Sequence, residues 1–123
     1  MMAHQIDIDQ VKGIIRLVHW ESIHKEALLV SHQELLEKIK GMEAPKILVD
    51  LREAILKVED WEKREFAEWH KQYVTKKAKI AALIQANDPN YNDFQHLETL
   101  FVNRGINLRM FDNEYAAESW LAG

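Results

Sequence analysis

Apolar and polar positions along this chain follow two different periods, and the switches between them predict its elements. His4-Gln5-Ile6-Asp7-Ile8-Asp9 alternates at period two, as a half-covered strand does. Gln10-Val11-Lys12-Gly13 can turn, and residues 14–20, Ile-Ile-Arg-Leu-Val-His-Trp, are rich in β-branched and aromatic side chains. The two runs read as an antiparallel hairpin. From Ser22, a suitable N-cap, the period changes: Leu28, Ser31, Leu35 and Ile39 recur at helical spacing and form one inward face, and Gly41 is placed to end the helix.

Pro45 interrupts the chain before Lys46-Ile47-Leu48-Val49-Asp50-Leu51, a short, nearly continuous apolar run expected of a strand covered on both faces. Residues 52–57 read as a connection and 58–76 as a second helix. Glu59, Asp60 and Glu62 near its start and Lys71, Lys76 and Lys77 toward its end complement the helix dipole. Residues 79–84 predict a fourth strand, and Asn87-Asp88-Pro89-Asn90 leads to a third helix with Phe94, Leu97 and Phe101 on one face, closed by Gly105. Residues 106–111 predict a fifth strand; Asp112 or Asn113 then caps a short last helix that buries Ala116, Ala117, Trp120 and Leu121. The order ββαβαβαβα predicts an α/β fold: a single domain over residues 1–123 with a mixed, mostly parallel five-stranded sheet and helices packed on it.

Composition narrows the class. Apolar residues are 47% and charged residues 29% of the chain, ordinary for a globular protein. A net charge of −4 without a basic stripe argues against nucleic acid and against polybasic attachment to a membrane surface. No run approaches the ~20 apolar residues that span a bilayer. Cysteine is absent, which removes disulfides, thiol nucleophiles and thiolate metal sites and fits a reducing cytoplasm. The start Met1-Met2-Ala3-His4 lacks the features of a signal peptide. The expectation is a soluble cytoplasmic protein.

Ile47-Leu48-Val49-Asp50-Leu51-Arg52-Glu53-Ala54 at the third strand, and the ending from Val102-Asn103-Arg104-Gly105 through Phe111-Asp112 to Ala117, Trp120 and Leu121, carry a resemblance. With the element order over almost the whole chain, they resemble a STAS-type, SpoIIAA-like domain, the fold of anti-sigma factor antagonists. The chain is most similar to small uncharacterised bacterial proteins of that shape. The resemblance implies a regulatory or scaffolding domain that binds protein partners or, in some relatives, a small apolar ligand. It also brings a departure. Antagonists of this type carry a phosphorylatable Ser or Thr in the turn after the third strand, whereas here no Ser or Thr occurs between Ser31 and Thr75. A phosphoswitch adds about two negative charges at such a helix start, and this chain has no hydroxyl there to modify.

The residues offer few chemical constellations. The six histidines, at 4, 19, 24, 32, 70 and 96, contain no pair at the spacing that lets two rings share an ion on a helix, so scattered solvent-facing or half-buried rings are expected, with no metal and no cofactor. The four glycines are isolated, so there is no phosphate loop, and no serine sits in a nucleophile elbow. Asp7-Ile8-Asp9 is similar to the start of aspartate phosphatases but has no companion motif downstream. Strand ends of open α/β sheets hold ligands, which singles out Asp50, Asp88 and Asp112 as a candidate site. The simpler reading is that Asp88 and Asp112 cap helices while Asp50 pairs locally with Arg52.

The second helix is the least ordinary segment. Val58, Trp61, Phe66, Trp69 and Tyr73 fall within an arc of roughly 140°. Core packing accounts for such an arc; so does a contact surface. The reading that results is a non-enzymatic module acting through a protein partner or a second copy of itself, at Trp61, Trp69, Tyr73, Arg52 and Glu53. The alternative is a small apolar or lipid-like ligand held between the sheet and the second helix.

Overall fold

The computed structural model describes residues 3–123. Strands β1 (His4–Asp9) and β2 (Ile14–Ile23) form the expected hairpin, and Gly13 takes the left-handed conformation its turn needs, at φ +68°. Helix α1 (Lys25–Ile39) leads to β3 (Lys46–Leu56), α2 (Asp60–Tyr73) to β4 (Lys79–Leu83), α3 (Tyr91–Asn103) to β5 (Asn107–Phe111), and α4 (Glu114–Ala122) follows. The sheet runs β1-β2-β3-β4-β5, with β1 antiparallel to β2 and every other pair parallel.

This order fixes the layers. Each parallel step moves one strand along the sheet, and crossovers keep one hand, so α1, α2 and α3 share a face. Their Leu28, Leu35, Phe66, Phe94 and Phe101 pack on Ile15, Leu17, Ile47, Val49 and Ile80. Helix α4 covers the opposite face, where Ala117 and Leu121 meet Ile14, Leu48, Ala81 and Leu83. Alternation along each strand divides the two cores.

Four local expectations change. Ser22 lies inside β2, and His24 precedes the first helix, without a side-chain cap. Residues 52–56 are strand, not connection: β3 continues beside β2 through a bulge where Leu51 and Arg52 stand opposite His19. The extra residue shifts the phase, so that Ile47, Val49 and Leu51 face the three-helix core before the bulge and Ala54 and Leu56 after it. Helix α2 is shorter than expected and excludes Lys76 and Lys77. In α4 the cap is Asn113, whose side chain accepts a hydrogen bond from the Ala116 N–H at 2.9 Å, and Ala116 itself is exposed.

Candidate functional site

The aromatic arc of α2 divides between core and surface. Phe66 is buried beneath the helix, Trp69 is half-buried with its ring stacked on Phe66 at 6.2 Å, and Trp61 and Tyr73 are each 51% exposed. Trp61, Trp69 and Tyr73 line one surface groove between α1 and α2, together with Val58 and Leu29. Lys25 of α1 lies over the Trp61 ring at 5.0 Å while pairing with Glu65 at 2.7 Å. The start of α2 is closed by a reciprocal capping box between Glu59 and Glu62. Fixed carboxylates therefore occupy the helix end where a phosphoswitch would add charge.

The strand-end acids do not converge. Asp50 lies within β3 on the α4 face, buried, where Arg52 grips both its oxygens at 3.0 and 2.8 Å and Arg16 adds a bond at 2.9 Å. Both arginines also bond Glu114 at the start of α4, at 2.9 and 3.0 Å. Two cations and two anions thus close a neutral ring that pins α4 to the sheet. Burial pushes the Asp50 carboxyl up, but the hydrogen bonds and charge of Arg52, with that of Arg16, outweigh it and leave it below the ordinary carboxylate range. The bond from Arg16 holds Glu114 low as well. Asp88 accepts from the Asn90 N–H at 2.7 Å, closing a turn before α3, and Asp112 is exposed. Arg52 and Trp61 belong to opposite faces of the sheet, and Glu53 is exposed on the far half of β3. The expected site residues therefore form separate places. Arg16 and Glu114, which complete the ring, carried no sequence signal because they are 98 residues apart.

The histidines overturn the scattered reading. His19, His32 and His70 come from β2, α1 and α2 and are all buried, and with His4 they form a file of rings under α1, with neighbouring centroids 5.8, 6.3 and 5.0 Å apart. Ser31 bridges His19 and His32 at 2.9 and 3.2 Å, and the His32 Nδ1–H meets the Leu28 carbonyl at 2.9 Å. Burial lowers His19 to about 3, helped by the neighbouring His32 and His4. Burial also lowers His32 to about 4 against the opposing Leu28 hydrogen bond, and it pushes His70 well below the ordinary range. All three are neutral imidazoles at pH 7. His70 is 1% exposed, and neither of its ring nitrogens has a hydrogen-bond partner among the described residues. Among those residues no group of three or more His, Asp or Glu converges as a metal site.

His70 lines a cavity of about 50 Å³ between the sheet and the three helices. That is far below the roughly 150 Å³ known to take benzene, so a lipid chain does not fit the space between sheet and α2. Among the described residues no helix is long and apolar enough to cross a membrane.

An edge hairpin continued by parallel strands, with three helices on one face and one on the other, defines an α/β protein of SpoIIAA-like fold. An uncharacterised protein of the DUF3478 family with a SpoIIAA-like fold, from Shewanella loihica PV-4, is similar over 97% of this chain and 92% of its own, with a TM-score of 0.60 and 17% identity. No family model matches the chain, and neither does any curated protein.

Proposed function

We propose that this protein is a non-enzymatic regulatory or scaffolding module whose α1–α2 groove receives an apolar helical segment of a partner protein. The observation that carries it is the pair of half-exposed aromatics, Trp61 and Tyr73, at the two ends of one groove. Twelve residues of α2 separate them, about 18 Å at the helical rise, which matches an amphipathic helix of some three turns. Large aromatics left in water on one strip are typical of contact surfaces rather than of cores. Lys25, Arg64, Glu62 and Glu65 along the groove supply both signs of charge at its rim. The absence of Ser and Thr between Ser31 and Thr75 sets this reading apart from partner switching through a phosphorylated Ser or Thr.

The double variant Trp61→Ala, Tyr73→Ala tests it. Both side chains are half in solvent, so the fold is expected to hold while partner capture from a cell extract falls at least about tenfold. Native mass spectrometry of the parent separates the occupants: a heteromeric complex supports the reading, and a homodimer abolished by the same variant replaces the partner with a second copy. A folded variant that keeps every association removes the groove from the function.

A further inference from the structure

The sheet has two outer strands, β1 and β5, and the chain guards only one of them. An edge strand with free N–H and C=O groups is a template for another strand, and proteins normally blunt it. Strand β5 is blunted: the Glu98 carboxylate accepts from the Met110 N–H at 2.8 Å, and the Leu108 N–H turns back to the Ile106 carbonyl at 3.0 Å. Where β3 outruns β4, the Gln85 side chain bonds the Arg52 carbonyl, and Ala54 and Leu56 are buried. Strand β1 has no such guard. The Trp20 N–H donates to the Ala3 carbonyl at 3.0 Å, which with the register fixes Gln5, Asp7 and Asp9 as the residues that bond β2. His4, Ile6 and Ile8 therefore turn their N–H and C=O groups away from the sheet, and no group among the described residues bonds them. The strand contains neither proline nor lysine, and its Ile8 is 46% exposed.

The side chains of β1 say what fits this edge. They alternate, so His4, Ile6 and Ile8 share the three-helix face and Gln5, Asp7 and Asp9 the other. Two copies can pair antiparallel about Ile6, which sets His4 opposite the second copy's Ile8 and Gln5 opposite its Asp7. That register uses the whole strand, places Ile6 on its own counterpart, and gives each Asp7 carboxylate an amide that donates to it. The same two groups already meet within one chain, where Gln5 Nε2 donates to Asp7 Oδ2 at 2.9 Å. An axis at Asp7 would set two carboxylates face to face, and an axis at Gln5 would carry Ile8 past the start of β1 in the second copy. On the helix side, His4 and Ile6 form a groove along the edge with Glu34, Glu37 and Lys38 of α1. The register about Ile6 lays the second copy's Ile8 beside His4, at this groove, and takes it out of water. We propose that β1 is a self-association edge, through which two copies of this chain join antiparallel, centred on Ile6, into one continuous sheet. The α1–α2 groove shares no lining residue with this edge, so the two contacts are independent.

Sedimentation velocity of the full chain over a concentration series tests it, with amide exchange read residue by residue by NMR. The expected result is a reversible dimer in which the Ile6 and Ile8 amides gain at least about tenfold protection with concentration. The Met110 amide, already bonded within the chain, is expected not to change. Ile8→Pro removes an outward N–H that β2 does not use, which an edge strand tolerates, and is expected to give a folded monomer. Gln5→Asp sets a carboxylate opposite Asp7 and is expected to weaken the dimer about tenfold, whereas Gln5→Lys tightens it. The variant Trp61→Ala, Tyr73→Ala is expected to dimerise as the parent does. A chain still monomeric at about 1 mM overturns the proposal. So does a dimer whose Ile6 and Ile8 amides stay unprotected, a folded Ile8→Pro that dimerises undiminished, or a dimer lost with Trp61 and Tyr73. If Ile8→Pro does not fold, the amide pattern and the Gln5 pair decide, and Gln5 variants that fail to move affinity in opposite senses overturn the register.

Discussion

His19, His32 and His70 set how this fold meets acid. Their folded pKa values lie below the ordinary 6.5, near 3 for His19, near 4 for His32 and lower still for His70. Above pH 6.5 both folded and unfolded chains hold them neutral, and stability is complete. As pH falls below 6.5 the unfolded chain takes up protons that the folded chain refuses, and each histidine removes about 1.4 kcal/mol per pH unit down to its folded pKa. Three together remove about 4 kcal/mol per unit, about 6 kcal/mol by pH 5, which exhausts the lower end of an ordinary stability of 5–15 kcal/mol. Facing them are His4 at the edge of the file, with Glu34 2.6 Å from it, and Glu98, half-buried on the wall of the cavity that His32 and His70 also line. A circular-dichroism titration is expected to show unfolding with a midpoint about pH 5, and a fold that persists to pH 3 contradicts the neutral file. None of this was legible in the sequence. Helical or strand spacing exposes pairs within one element, whereas these rings come from three elements and meet only after packing.

At the scale of elements, caps and ion pairs decide where segments begin and what holds them. The α4 cap was readable only as Asp112 or Asn113, two short polar residues in a row, and Asn113→Ala is expected to cost about 1 kcal/mol, read as a shift in the urea midpoint with unchanged slope. The ring around Asp50 was half readable: Arg52, two residues on, was in view, but Arg16 and Glu114 were not. Asp50→Asn leaves two arginines short of charge and is expected to destabilise by about 2 kcal/mol, with α4 amides losing hydrogen-exchange protection first. Equal protection loss across the whole sheet would show that the ring does not specifically secure α4. Strand β3 was truncated in the sequence reading because its alternation breaks at the bulge, where Leu51 and Ala54 are three residues apart yet share a face. A change of phase looks like the end of a strand when one chain is read without its neighbour.

At the scale of the whole molecule, the fold was legible because every strand and crossover helix carried its own period, and the parallel runs were apolar enough to announce two covered faces. The place of each acidic strand end was not, since convergence depends on how far strands extend past one another, and β3 outruns β4 from Leu51 to Leu56. The division of helices, three on one face and one on the other, also leaves α2 partly bare, with Trp61 and Tyr73 in water. The bulge at Leu51 and Arg52 has one more effect, felt as a constraint on sequence length. Removing a single residue there would restore regular pairing with β2 and leave Ala54 and Leu56, opposite Glu21 and Ile23, facing the three-helix core. Removing one residue from Glu53 to Ile55 instead, where pairing is regular, would turn the end of the strand over and point Leu56 to the other face. Beside β2 the chain can therefore lose one residue at the bulge but only pairs of residues beyond it, a constraint on parity rather than on the identity of any side chain.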